Sequence, residues 1–134
     1  MSVTPQQIEL VQTSFAKVAP IAGVAADLFY DRLFEIAPEV RPMFPADLGE
    51  QKQKLMTMLA TAVTNLHRIE TILPAVQALG QRHKGYGVTI AHYAPVGAAL
   101  LWTLEQGLGD AFTPDVRVAW TEAYNALSGV MTEA

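Results

Sequence analysis

Apolar residues recur at every third or fourth position along most of this chain, and prolines and glycines punctuate the pattern. A stripe of that period belongs to an α-helix with one buried face, so the chain is constrained to pack helices against each other. Thr4, Pro5 and Gln7 form the first start signal: an N-cap, a first-turn proline and a capping-box partner. Ile8, Val11, Phe15 and Val18 mark the face that follows, up to Pro20. Ala25, Leu28, Phe29, Leu33 and Ile36 mark a second helix, stopped near Pro38. The stretch 37–45 carries three prolines and has room for a short turn or two of helix. Leu55, Met56, Leu59, Val63 and Leu66 give a third long face. Thr71 is placed to cap the next helix, which runs to His83 and is broken by Gly85 and Gly87. Tyr93, Val96, Leu100, Leu101 and Leu104 follow, ended by Gly107 and Gly109. Thr113, Pro114 and Asp115 repeat the cap-then-proline signal ahead of Val116, Trp120, Tyr124, Leu127 and Met131.

No stretch alternates with period two between turn signals, and no internal repeat, low-complexity run or linker interrupts the chain. The expectation is an all-α fold in a single domain covering 1–134. With 51% hydrophobic and 16% charged residues, the chain suits a large core or one wrapped around an apolar ligand. A net charge of −4 without a basic cluster argues against nucleic acid or an anionic membrane as partner. The absence of cysteine removes disulfides, thiolate metal sites and cysteine nucleophiles, and makes a reducing compartment comfortable. The first residues show no signal peptide, and no run approaches the ~18 apolar residues of a membrane span, so the expected location is cytoplasmic.

The common catalytic signatures are missing: no phosphate loop, dinucleotide fingerprint, HExxH or GxSxG occurs. His67, beside Arg68 at a helix end, and His92, at a helix start, read as solvated, and neither has another ligand type one turn away. Carboxylates are scattered. His83 is different, because Ile72, Val76 and Leu79 put it in line with an apolar stripe. An imidazole leaving water needs partners that aliphatic side chains do not supply. Two readings stay open on this evidence: a structural histidine bonded to a carbonyl or hydroxyl, or a metal ligand whose other ligands come from a cofactor. Tyr30, Phe44, Gln51 and Leu55 taken singly read as core or surface residues.

Together these residues resemble a globin, specifically the bacterial single-domain globins related to the haem domain of flavohaemoglobins. The matching pieces are LFYDRLFEIAPEVRPMF (28–44), QKQKLM (51–56), LGQRHKGYGV (79–88), HYAPVG (92–97) and AWTEAY (119–124). The resemblance implies a three-on-three helical sandwich around haem b (iron protoporphyrin IX). The alternative is a truncated two-on-two globin, against which the capped first helix and the lack of glycine pairs argue. It implies His83 as the proximal iron ligand and metal site, Tyr30 and Gln51 as the distal polar pair, and Leu55 as the aliphatic residue beside the gas. Pro38 matches the corner proline and Phe44 the haem-wedging phenylalanine. Leu79, Val88 and Val96 become cofactor contacts, and Tyr93 a proximal tyrosine able to orient His83. Lys54 and Lys84 lie within reach of a propionate, although both read first as solvated lysines. The chain departs from the pattern at two places. Asp47 replaces a further haem-contacting phenylalanine, and the proximal glutamate of the last helix falls just past Ala134, with Glu133 two residues early.

The function implied is reversible, high-affinity oxygen binding for storage, transport or scavenging. The Tyr30 hydroxyl would donate to the bound gas, with Gln51 as a second donor or as the group that orients Tyr30. Nitric oxide and carbon monoxide are further ligands. The alternatives are a nitric oxide dioxygenase served by a separate reductase, a haem-based gas sensor, or a globin-like stress-sensing module without haem in which His83 is merely structural.

Overall fold

The computed structural model describes residues 3–85 and 90–133, with the side chains of Ile90, Thr132 and Glu133 excepted. Among the described residues, six α-helices carry the fold: α1 (Pro5–Val18), α2 (Ala22–Ile36), α3 (Gly49–Thr64), α4 (Leu73–Gly85), α5 (Tyr93–Leu108) and α6 (Pro114–Glu133). Short 3-10 turns join them, and no strand occurs among the described residues. None of these helices is long and apolar enough to cross a membrane.

The start signals work as local chemistry requires. The Thr4 hydroxyl accepts from the Gln7 amide at 3.1 Å while the Gln7 side chain accepts from the Thr4 amide at 3.0 Å, closing a reciprocal capping box. At α6 the Thr113 hydroxyl accepts from the Val116 amide at 3.3 Å. The proline-rich corner forms a 3-10 helix over Pro38–Met43, because tight turns tolerate the missing amides better than a long α-helix would. Three local expectations are corrected. Thr71 does not cap α4; its hydroxyl donates back to the Arg68 carbonyl at 2.7 Å and closes the turn before the helix. Gly107 lies inside α5, which ends at Gly109. His92 is half-buried rather than solvated, since it forms the hinge into α5, whereas His67 is exposed.

Helices α2 and α5 pack together, α1 packs on α6, α3 and α5, and α4 lies along α6. Between them sits one core, in which Val11, Phe29, Leu33, Ala99, Leu104 and Trp120 are buried. The first and last helices are bonded as well as packed. Trp120 Nε1 donates to the Ser14 hydroxyl at 2.8 Å, and that hydroxyl in turn faces the Leu10 carbonyl at 2.6 Å and the Val11 carbonyl at 3.0 Å. Every buried side-chain polar atom among the described residues has a partner.

Candidate functional site

Tyr30 is the most deeply buried of the expected site residues among those described, with 3% of its surface exposed. Helix α2 aims it inward between Phe29 and Phe34, whose ring centroids lie 5.0 and 5.9 Å away. The corner after α2 returns Phe44 against the same ring at 5.6 Å, edge-on, and Phe34 meets Phe44 at 5.5 Å. Edge-to-face pairs at these separations are favourable beyond their area. The phenol therefore stands in an aromatic cage with its hydroxyl in apolar surroundings. Burial pushes the Tyr30 hydroxyl above the usual tyrosine range, and the Gln51 side chain, reaching it from the first turns of α3, offsets part of that rise. Tyr30 thus stays a neutral donor, and Gln51 is its polar neighbour. The sequence motifs placed these two residues 21 positions apart; the corner brings them together. An ion pair of 2.7 Å between Lys52 and Asp27 ties the start of α3 to the body of α2.

Leu55 lies one turn beyond Gln51 and faces a small, partly open apolar pocket of about 20 Å³, whose lining includes none of Tyr30, Phe44, Gln51 and His83. Phe29, Leu59, Leu100, Thr103 and Trp120 are among its other walls. The polar groups in that lining are already bonded, Thr103 to the Ala99 carbonyl at 2.8 Å and Trp120 to Ser14. Water has little to hold it there.

His83 sits near the end of α4, half-buried. Its Nδ1 lies 2.7 Å from the Leu79 carbonyl, one turn back, so Nδ1–H donates and Nε2 keeps its lone pair. The structural reading of this histidine is half satisfied by that bond, and the other nitrogen is in the form a metal takes. Among the described residues no set of three or more His, Cys, Asp or Glu side chains gathers to hold a bare ion. A metal on His83 therefore has to bring its own equatorial ligands, which is the donor set of a porphyrin. A single half-buried imidazole, fixed by a backbone carbonyl and with its second nitrogen in the acceptor form, fits the one protein ligand that haem needs.

Leu79 and Val96 are half-buried, and Val96 packs on the core. Val88 lies outside the described residues. Tyr93 opens α5; the bond of His83 is to Leu79, and none links it to the Tyr93 hydroxyl among the described residues. What reaches Tyr93 is Tyr124 of α6, whose hydroxyl donates to the Tyr93 carbonyl at 2.6 Å. Burial raises the hydroxyls of both tyrosines above their usual range, Tyr124 the more. The Tyr124 ring lies where Gly97 leaves room: a Cβ added at Gly97 would come within 2.8 Å of it. The sequence reading has Tyr124 as a core position and as part of the AWTEAY match, with no role beside Tyr93; the glycine one turn after Tyr93 is the available signal.

The remaining candidates fall on the surface. Lys54 pairs with Glu50 at 3.3 Å, both exposed. Lys84 is exposed. Asp47, at the place of an expected phenylalanine, accepts from the Gly49 amide at 2.9 Å and so steadies the start of α3. The Glu133 side chain lies outside the described residues.

Comparison with known proteins decides the family. The globin family model matches residues 27–131. The chain belongs to the globin family. A flavohemoprotein of Bacillus subtilis is 32% identical over 125 residues, covering 90% of this chain and 31% of that protein. One of Rhodopirellula baltica is 30% identical, covering 96% of this chain and 32% of the relative. This globin therefore spans about a third of the length of the curated relatives it matches. Among solved structures it is similar to an engineered carbene transferase made from a Rhodothermus marinus protein assigned as a nitric oxide dioxygenase. That likeness has a TM-score of 0.88 at 26% identity and covers 98% of this chain and 92% of that one. A bacterial globin of Campylobacter jejuni gives 0.82 at 26% identity, covering 97% and 94% of the two chains. The all-α globin fold and a haem cofactor with gas binding follow from this membership, within the flavohaemoglobin lineage.

Proposed function

We propose that this globin binds haem b through His83 and holds oxygen reversibly and with high affinity beside Tyr30 and Gln51. The domain would be the whole of 1–134 in a three-on-three arrangement, for which the complete, capped α1 speaks. The setting is the cytoplasm, whose reducing conditions leave a cysteine-free chain unaffected. Haem iron, when bound, supplies the centre that takes a diatomic gas.

The observation that carries this reading is the buried, un-ionised Tyr30 hydroxyl with Gln51 as its polar neighbour. In so apolar a cage a phenol is a preorganised donor, and it needs no rearrangement to meet a ligand that carries partial negative charge. Such a hydrogen bond contributes about 1.5–3 kcal/mol, which slows gas release roughly ten- to a hundred-fold. Gln51 orients the hydroxyl or donates alongside it. Because residue 51 is glutamine, no distal histidine stands there to occupy the gas position. The globin resemblance would assign Phe44, Leu55, Leu79, Val88 and Val96 as the cofactor's apolar contacts, with carbon monoxide and nitric oxide as further ligands beside Tyr30. On the proximal side the Leu79 carbonyl sets the imidazole's plane. Measuring oxygen release from the parent and from Tyr30→Phe tests the reading; equal rates would remove it.

The likeness to a protein assigned as a nitric oxide dioxygenase favours a second reading. In it, nitric oxide and oxygen combine with one electron to give nitrate, and a separate reductase delivers the electron. Mixing the oxygenated protein with nitric oxide, then following reduction by cell extract, separates the two readings. Rapid nitrate formation with repeated turnover selects the dioxygenase, and a single turnover selects binding.

A further inference from the structure

Arg41 does more at the corner after α2 than close a turn. It belongs to the 3-10 segment Pro38–Met43 and is half-buried. Its Nη1 donates to the carbonyls of Phe44 at 3.3 Å and Pro45 at 3.0 Å, and its Nη2 to that of Ala46 at 3.3 Å. Three consecutive carbonyls outside any regular helix are thus gathered by one guanidinium. The same group stacks over Phe34, with Cζ 5.0 Å from the ring centroid. Phe34 and Phe44 are two walls of the Tyr30 cage. One side chain therefore grips the cage from both sides, through the face of Phe34 and through the backbone of Phe44.

We propose that Arg41 is a positioning residue for the gas site: it locks the 44–46 corner onto the Phe34–Phe44–Tyr30 cluster and so presents the Tyr30 hydroxyl in one orientation. The inference rests on the proposed role of Tyr30 as donor to the gas. Only arginine suits the position. Its planar fork can bond several carbonyls while its face lies on an aromatic ring, whereas a lysine ammonium is a point donor that does one or the other. The residue touches neither gas nor cofactor in this scheme and acts through Tyr30. Release of the corner leaves Phe44 free to shift, and Tyr30 then samples orientations in which it donates poorly.

The test compares Arg41→Lys and Arg41→Met with Arg32→Lys, a control of matched chemistry. Arg32 also stacks on a ring, Trp102 at 5.2 Å, and pairs with Glu35 at 2.7 Å, but it takes no part in the corner. The first readout is amide hydrogen exchange of residues 43–49 with and without haem. Exchange there should quicken about tenfold in both Arg41 variants, stay unchanged in α1 and α6, and stay unchanged throughout in Arg32→Lys. The second is oxygen release. Arg41→Lys should speed it several-fold, and the double variant Arg41→Lys/Tyr30→Phe should release no faster than Tyr30→Phe alone. Unchanged exchange at the corner, or multiplicative effects in the double variant, would overturn the assignment. If Tyr30→Phe alone leaves release unaltered, the donor role falls and takes the assignment with it; a responsive Tyr30 with silent Arg41 variants sinks the assignment alone.

Discussion

The hydroxyl of Tyr124 donates to the carbonyl of Tyr93 at 2.6 Å, and its ring fills the space left by the missing side chain of Gly97. Helix α6 is thereby keyed to the first turn of α5. A methyl group at Gly97 has to displace a ring, not a flexible chain end. Gly97→Ala should cost about 1–3 kcal/mol as overpacking, and Tyr124→Phe about 1 kcal/mol for the lost bond. Urea unfolding of the two variants checks both, and a Gly97→Ala protein as stable as the parent would contradict the packing described.

The same tyrosine makes stability depend on alkaline pH. Its folded-state pKa and that of Tyr30 are raised above the unfolded value by burial. Above pH ~10 the unfolded chain releases these protons first, so it holds fewer than the native state and is favoured as pH rises. Stability from this source is complete below pH ~10 and is lost as pH climbs toward the folded-state values, at up to about 1.4 kcal/mol per pH unit for each tyrosine. Denaturant midpoints measured between neutral and strongly alkaline pH should fall less steeply in Tyr124→Phe than in the parent.

Ser14 and Trp120 test how far one buried bond joins the chain's ends. Ser14→Ala leaves the indole N–H without its acceptor in the core, for about 1–3 kcal/mol. Trp120→Phe removes the donor as well as part of the packing. A double-mutant cycle on thermal unfolding should show coupling of about 0.5–3 kcal/mol between the two sites, and strict additivity would deny the bond any energetic role.

Gly80 stands one turn before His83, where α4 crosses α6 so closely that an added Cβ would lie 2.7 Å from the Met131 Cα. Backbone cannot step aside as a side-chain tip can. Gly80→Ala should separate the helices, cost about 1–3 kcal/mol, and displace the histidine. Haem loss to a scavenger protein should quicken in this variant while its helical circular dichroism stays near that of the parent.

His83→Ala should abolish tight haem retention, read as loss of the Soret band on gel filtration, because it removes the imidazole proposed to hold the iron. Helix content should survive, since His83 contributes one short bond to its own helix and little to the core.

Most helix starts and buried faces are legible because their causes are local, although Ile36 at the end of the α2 stripe is exposed and Gly107 does not stop α5. Thr4–Gln7 and Thr113–Val116 cap as their spacing demands, and apolar stripes select the buried sides. Thr71 and His92 were misread for the complementary reason. A threonine can bond backward as readily as forward, and whether a histidine is solvated depends on what packs over it. Motif order also brought Tyr30, Gln51, Leu55 and His83 together as a set, without any contact between them.

Tertiary structure alone decided the contacts that give that set its chemistry. Nothing within a few residues of Ser14 announces Trp120, 106 positions away. Gly97 marks a close approach beside Tyr93 without saying that Tyr124 makes it, and nothing near Tyr30 announces the aromatic cage closed by Phe44 and gripped by Arg41. Local sequence determines which stretches coil, because capping bonds and helical periodicity span a single turn. Which hydroxyl is buried and which ring leans on it follow from how the helices pack, and packing is settled by shape across the whole chain.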